Sequence, residues 1–353
     1  DKQMISSVKQ SNMKNLKNFY DKAYGKYHVL KNNSHFQWQF KKNPFLKNEE
    51  ISIIVDERNN KIISHLGCIP FKLKIFNSIK KGIWHISFFT LDEYRGKGLG
   101  LQLVKFSNRQ FDFAMVLSGS EGTESIYHKI GGFTLGNLKR HVCITQKSKI
   151  ENFLGIKIPT VQNVSKYHTK CNMKRIRDID RDYDKFWNAV KERYPITTER
   201  DRRYINWRYL KHPLIDYHFL NLEYNDTTVG FAVIRFELKN KEIKAARIVD
   251  MIVKKDFEEE LIFSIKKYCM KKAHFIDFFC TGNFYSKALK KFGFFNNKLS
   301  IKIPSVFNPI DKSRRPHINF LYSDLKKSIN HKILENDSNW YFVKADSDQD
   351  RAY

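Results

Sequence analysis

The chain has 353 residues, 41% of them hydrophobic and 14% aromatic, with 64 Lys and Arg against 37 Asp and Glu for a formal net charge of +27. That length and apolar content allow two globular cores and exclude a disordered chain. No apolar run approaches a membrane span and no signal peptide is visible, while Cys68, Cys143, Cys171, Cys269 and Cys280 stand too far apart for a metal or CxxC pattern. Reduced thiols in a cytoplasmic protein are the expectation. The charge implies an anionic partner: a nucleotide, coenzyme A, nucleic acid or an acidic membrane surface. The basic residues are scattered among acids and do not choose among these.

Residues 1–48 read as helical, with Leu16, Phe19, Tyr20 and Tyr24 as an apolar stripe, and 36–45 (FQWQFKKNPF) as an aromatic helix stopped by Pro44. Residues 51–55 and 62–66 form a hairpin about the polar turn 56–60, and 71–76 is a further strand. The stretch 83–100, IWHISFFTLDEYRGKGLG, organises the rest. It opens as a strand buried on both faces, turns at Asp92-Glu93-Tyr94, runs through Arg95-Gly96-Lys97-Gly98-Leu99-Gly100 and continues as a helix. Next come a strand at 113–117, a helix at 124–133 (ESIYHKIGGF), a strand at 141–145 that closes the first sheet, and a linker at 151–175.

The second half repeats the first. INWRYLKHPL mirrors FQWQFKKNPF, so that Trp207 and Pro213 stand as Trp38 and Pro44 do; residues 229–234, 248–253, 261–268, 275–280 and 286–294 follow in the element order of the first half. The offset drifts from 169 at the tryptophans to 161 at Phe133 and Phe294, as a duplicated unit with small loop deletions would show. After Val253 the second copy has Lys254-Lys255-Asp256-Phe257-Glu258-Glu259-Glu260, with no glycine and three consecutive acids that would repel a phosphate. The tail, 305–353, holds Arg314-Arg315-Pro316, an apolar helix at 320–333, a strand at 340–343 and an acidic end, Asp346-Ser347-Asp348-Gln349-Asp350, read as a solvated terminus.

Strand, glycine-rich turn and helix in this order make an anion site. Glycines let the backbone approach closely, and the first N–H groups of the helix point at a phosphate. Arg95 and Lys97 add charge. The spacing is neither Walker A nor GxGxxG.

Arg95-x-x-Gly98-x-Gly100 after a hydrophobic strand and Leu-Asp-Glu-Tyr resembles the pyrophosphate loop of the GNAT acyltransferase superfamily, and ESIYHKIGGF resembles its closing helix, one residue longer than the commonest spacing. The tandem halves, the paired Trp-to-Pro helices and the ending WYFVKADSDQD resemble bacterial tandem-GNAT N-acyltransferases of surface-polysaccharide pathways. The fold implied is α/β: two tandem GNAT-like domains, each a mixed central sheet flanked by helices, the second lacking the pyrophosphate loop. Their bounds are 1–150, a linker to 175, 176–304, and a tail packing on both. The resemblance implies an acyl-CoA donor with an acetyl or short hydroxyacyl chain such as 3-hydroxybutyryl, no metal, and as acceptor the amine of a dTDP- or UDP-linked amino deoxysugar.

The resemblance also assigns roles. Phe88, Phe89, Thr90 and Leu91 would lend backbone groups to the thioester, Arg95 to Gly100 would hold the pyrophosphate, and Tyr127 would protonate the departing thiolate. The general base is open among His85 and Ser87, which share a face of the organising strand by its period of two, Asp250, which occupies the slot of Ser87 in the second copy and would meet Arg247 or the acceptor amine, and water. Trp38, Trp207, Arg202, Arg203, Arg208 and Arg247 are the acceptor candidates, in the cleft between the copies. Acylation of a protein or antibiotic amine is the competing enzyme reading. Nucleic-acid binding is the competing non-enzymatic one, against which stands the lack of a helix-turn-helix, zinc or RNP pattern.

Overall fold

The computed structural model describes residues 4–47, 50–158, 167–239, 242–296, 303–305 and 317–352; Arg314-Arg315-Pro316 lies outside them. The first half carries β1 (Met4–Ser7), β2 (Ile53–Arg58), β3 (Lys61–Ile75), β4 (Ser78–Thr90), β5 (Phe113–Leu117), β6 (Phe133–Asn137) and β7 (Lys139–Ile144). The second half adds β8 (Asn172–Ile176), β9 (Ile196–Thr198), β10 (His218–Tyr224), β11 (Thr227–Lys239), β12 (Ile243–Val253), β13 (Phe275–Cys280) and β14 (Phe295–Asn296), and the tail adds β15 (Asn319–Asp324) and β16 (Trp340–Tyr341). They form a nine-stranded sheet, β1-β2-β3-β4-β5-β15-β6 with β9 on β3 and β16 on β9, and a seven-stranded sheet, β14-β7-β13-β12-β11-β10-β8. Helices flank both, including Met13–Ala23, Asn33–Phe40, Leu99–Ser107, Glu121–Lys129 and Glu258–Cys269.

Most elements form where hydrophobic periodicity placed them, and 275–280 matches its strand to the residue. Three differ. The stretch 141–145 does not close the first sheet: β7 lies antiparallel on β13 of the second, with Ile144 opposite Phe275. A single residue, the buried Leu138, separates β6 from β7, too few to turn the chain back. The vacated place between β5 and β6 is taken by β15 from the tail, so the halves exchange a strand. The expected helix at 320–333 is therefore strand β15 followed by the short helix His331–Glu335. Phe320, Leu321, Tyr322 and Ser323 are all buried, as a strand covered on both faces requires. The beginning of the chain, expected as helix, is edge strand β1 before the helix Met13–Ala23, whose buried face is Leu16, Phe19 and Tyr20.

The acidic end is not solvated either. Arg200, wholly buried, donates from Nε to Asp250 and from Nη2 to Asp346, each at 2.8 Å. Thr198 Oγ1 at 2.6 Å and Tyr204 Oη at 3.2 Å also donate to Asp346, and Asp350 is paired with Arg235 at 3.2 Å and accepts from the Tyr217 hydroxyl. Burying a guanidinium is tolerated only where carboxylates and hydroxyls satisfy it, so this network pins the tail between the sheets.

The two tryptophan helices meet across an approximate two-fold axis. Trp38 and Trp207 stack at 5.1 Å between centroids and 18° between planes, and each indole N–H donates to the other's backbone carbonyl, at 2.8 and 3.0 Å. Trp207→Ala should cost about 3–5 kcal/mol through the cavity and the Trp38 carbonyl left without its indole donor. Urea unfolding followed by far-UV circular dichroism should show this as one cooperative transition, shifted for both halves together, because the halves share strands.

Candidate functional site

The site grows from a fault in β4. Gly67 pairs with Ile86 and His65 with Phe89, so Ser87 and Phe88 both oppose Leu66, and Ser87 takes up the extra residue with φ of 48°. This is a β-bulge, which re-aims side chains and bends the strand. The Ser87 carbonyl accepts from the Tyr24 hydroxyl at 3.1 Å and from His65 Nδ1 at 2.9 Å. Below the bulge β4 runs parallel to β5 only from Gly82 to Trp84, opposite Phe113 to Met115. Beyond it the two strands part and open a V.

On one flank of the V lies the glycine turn. Gly96 and Gly98 have φ of 76° and 72°, a region glycine alone enters without strain, and Gly98 starts the helix Leu99–Ser107 with no side-chain cap. The first N–H groups of that helix have no intrahelical acceptor. A Cβ on Gly100 would stand 2.3 Å from the Phe88 ring, so this glycine lets the helix close onto the splayed strand. Arg95 is held beside the turn by Asp92 at 2.8 Å and by the Thr90 carbonyl at 3.2 Å, and half its side chain stays exposed. Leu91 N–H is donated to Ile63 O, so of the run 88–91 Leu91 does not offer its amide to a thioester.

His85 and Ser87 do not share a face, because the bulge intervenes. His85 is buried, with Ser107 Oγ and the Tyr127 hydroxyl each 2.9 Å from a ring nitrogen. Ser107 spends its proton on Val104 O at 2.9 Å, so it accepts from His85 Nε2–H, and His85 Nδ1 accepts from Tyr127. Both imidazole nitrogens and the phenolic proton are thereby committed, and burial pushes the imidazole down to about 3 and the phenol up. In this arrangement neither is available to the V as base or acid, contrary to the roles assigned above. Asp250 is also corrected. It accepts from Arg200 and from the Tyr209 and Tyr341 hydroxyls and faces no opening, while Arg247 pairs with Asp277 and Glu237.

The acceptor candidates separate into three places. Arg247 belongs to the interior of the second sheet. Arg202 and Arg203 line a groove of about 840 Å³ with Trp38 and Trp207 on the two-fold axis, Arg202 near Asp184 at 3.6 Å and Arg203 on Pro44 O at 2.6 Å. Neither tryptophan is an open stacking platform, since the rings cover each other and the Arg208 guanidinium lies 5.1 Å over Trp38. Arg208 itself is buried, donates to Ala345 O and Ser347 O, and leaves Nη1 without a partner. It lines a small chamber with His28, His35, Trp38, Ser87 and Asp348. His35 Nδ1 is a second buried polar atom there without a partner. The chamber shares His28 and Val29 with a cleft of about 770 Å³ between the halves, lined by Lys26, Tyr27, Lys31, Ile215 and Arg235.

The sequence reading missed Tyr24, His28, His35 and Asp348. The first three lie in segments read only as helix. Asp348 lies in the run taken for a solvated end, and no spacing ties it to Ser87, which it meets at 3.5 Å.

Comparison with known proteins agrees with this geometry. Residues 13–109 match the model of the Acetyltransferase (GNAT) family. The fold superposes on a GCN5-related N-acetyltransferase from Anabaena variabilis, with TM-score 0.61 and 9% identity over 92% of this chain and 73% of that one. It does so on a conserved protein from Enterococcus faecalis V583 described as a probable N-acyltransferase, with TM-score 0.60 and 10% identity over 91% and 72%. It does so too on Saccharomyces cerevisiae N-myristoyltransferase with bound myristoyl-CoA, with TM-score 0.55 and 12% identity over 91% and 82%. At such identities the likeness is one of fold. No curated protein matches the chain. The match to the GNAT model thus falls within the first half, and the chain as a whole has a GNAT-like α/β fold with two sheets flanked by helices. Among the described residues no cluster could hold a metal, and no helix is long and apolar enough to cross a membrane.

Two outcomes follow. Gly98→Trp should abolish acyl-CoA binding in calorimetry while shifting the urea midpoint little, since nothing stands within 4 Å of a Cβ there and only the positive φ is penalised. His65 and His35, each pushed to about 4, and His85, to about 3, lie below their ordinary 6.5 because burial disfavours the imidazolium. The unfolded chain therefore binds more protons in this window. Their contribution is complete above pH 6.5 and falls by up to about 1.4 kcal/mol per unit for each as pH drops toward 4. Urea titrations from pH 7.5 to 4.5 should show this slope.

Proposed function

We propose that this protein is an acyl-CoA-dependent N-acyltransferase whose acceptor is the amine of a nucleotide-linked amino deoxysugar, acting in the cytoplasm on a precursor of a surface polysaccharide. The observation that carries the reading is the placement of the V. One flank is a glycine turn with bare helix N–H groups, which fits the pyrophosphate of coenzyme A, and the other is a small polar chamber at the end of a cleft lined with cations. Gly96, Lys97, Gly98, Leu99 and Gly100, with Arg95, would hold the donor, and the splayed strand at Phe88, Phe89 and Thr90 would lend backbone donors to a thioester carbonyl.

The acceptor would lie in the cleft. Lys26 and Lys31 suit a diphosphate, and the ring of Tyr27, 89% exposed, suits a base. The tip of the sugar would then meet the chamber, whose volume of about 10 Å³ takes a single water-sized group, and one hydroxyl there would find Arg208 Nη1 and His35 Nδ1 without partners. A chamber this small favours acetyl or a short hydroxyacyl chain on the donor side and a slender acceptor tip over a folded protein surface.

Thiol release from acetyl-CoA and 3-hydroxybutyryl-CoA, measured with a panel of dTDP- and UDP-linked 3-amino and 4-amino deoxysugars, tests this. Turnover with one amino sugar and none with a basic peptide or an aminoglycoside is the expected result. Release with the peptide alone would move the acceptor to protein, and Arg208→Met should lower kcat/KM for the active sugar at least tenfold.

A further inference from the structure

We propose that Asp348 is the group that takes the proton from the acceptor amine, so that the end of the chain supplies the catalytic base; this rests on the function proposed above. The tail crosses the mouth of the V. Asp348 Oδ2 is 3.5 Å from the hydroxyl of Ser87 on β4, and the next residue, Gln349, reaches Leu117 O on β5 at 3.4 Å. The two splayed strands are therefore joined at their open end by consecutive residues, one of which is a carboxylate lining the chamber. Its side chain is 10% exposed, which leaves a route for the proton to solvent.

The groups that face Asp348 come from every element around it. Arg351, in its own segment, is 3.0 Å away and Gln349 Nε2 donates to it at 3.0 Å; Tyr24, His28 and His35 come from the first half, and Arg208 from the second. Asp348 is paired as well, but His85 and Asp250 are sealed in the core while its carboxylate is partly exposed. Both nitrogens of His85 are spent in the core, and Asp250 is saturated by Arg200 and two tyrosines. His28 Nδ1 accepts Leu30 N–H at 3.3 Å, so neutral His28 carries its proton on Nε2 and keeps no free lone pair. Among the described residues, Asp348 is the carboxylate that meets the bulge of β4.

The reaction balances without further reagents. The sugar ammonium gives one proton to Asp348. The amine then attacks the thioester carbonyl, a C–N bond forms, and the C–S bond breaks with its electron pair going to sulfur. The second nitrogen proton goes to the thiolate, giving the amide and free coenzyme A, and Asp348 returns its proton to water.

The test compares Asp348→Ala and Asp348→Glu with the intact chain, using acetyl-CoA and the amino sugar that the panel identifies. Asp348→Ala should lose at least 100-fold in kcat with acetyl-CoA affinity within twofold by calorimetry. Added formate should restore at least a tenth of the lost rate, and Asp348→Glu should retain more activity than Asp348→Ala. Activity of Asp348→Ala within threefold of the parent would overturn the assignment while leaving the acyltransferase reading intact. So would a loss that formate does not relieve, since that is what a merely structural carboxylate gives. Absence of thiol release by the parent with every acceptor would overturn both.

Discussion

Everything near the V depends on one buried cation. Arg200 divides its guanidinium between Asp250 on β12 and Asp346 in the tail, and fills its remaining donors with Thr197 Oγ1 and Thr198 O. The desolvation cost of burying such an ion is several kcal/mol, so the geometry persists only with both carboxylates present. That requirement fixes the tail at Asp346, while the pairing of Asp350 with Arg235 fixes it again four residues on. Asp348 sits between two anchored acids and has little freedom in where it points. The contact with Ser87 is thus a consequence of core electrostatics in the second half, although Ser87 belongs to the first.

Local pattern made the elements legible, and distant pairing did not follow from it. The strand–glycine–helix unit at 83–107 is encoded within a few turns of chain, and the duplicated order could be read from the offset of the tryptophans. Strand exchange could not. β7 has the same composition whichever sheet it joins, and what sends it to β13 is the single residue after β6, together with a competitor strand nearly 180 residues away. The same holds for side chains. His85 and Ser87 looked equivalent by a period of two, but a bulge at one residue sent them to different environments. Asp346-Ser347-Asp348-Gln349-Asp350 looked solvated because a short acidic run carries no periodicity, and its partners, Arg200, Tyr217 and Arg235, are more than a hundred residues upstream.

The two halves use the same topology for opposite ends. In the first, β4 and β5 part above Trp84 and the gap is lined by a glycine turn. In the second, β12 and β13 pair from Ala245 to Ile248 and likewise part, but there the tail enters the gap, with Val343 bridging Cys280 and Phe342 O accepting from Thr281 N–H, and ions knit the paired stretch below it. Arg140 and Arg247 share Asp277, and Arg247 also binds Glu237. Where a coenzyme would need an anion site, the chain offers Glu258 to Glu260, with Glu260 accepting from Tyr167 and Thr169. The second V is closed by the tail, the first left open by glycine.

On the function proposed above only the first half binds the donor, which leaves the second half to be explained. The chamber beside Ser87 supplies a physical reason. Its walls come from both halves: His28, His35 and Trp38 from the first, Arg208 from the second, and Asp348 from a tail held in place by Arg200 and β12. A single half would have the donor turn and the bulge but none of the buried charge behind them, because a guanidinium such as Arg208 can be kept from water only where a second sheet, a stacked Trp38 and the carbonyls of Ala345 and Ser347 enclose it. The exchanged strands then follow as part of the same design. With β7 in one sheet and β15 in the other, neither half can drift from its partner, and a chamber whose polar atoms lie on both is held to the tolerance that the proposed proton transfer demands.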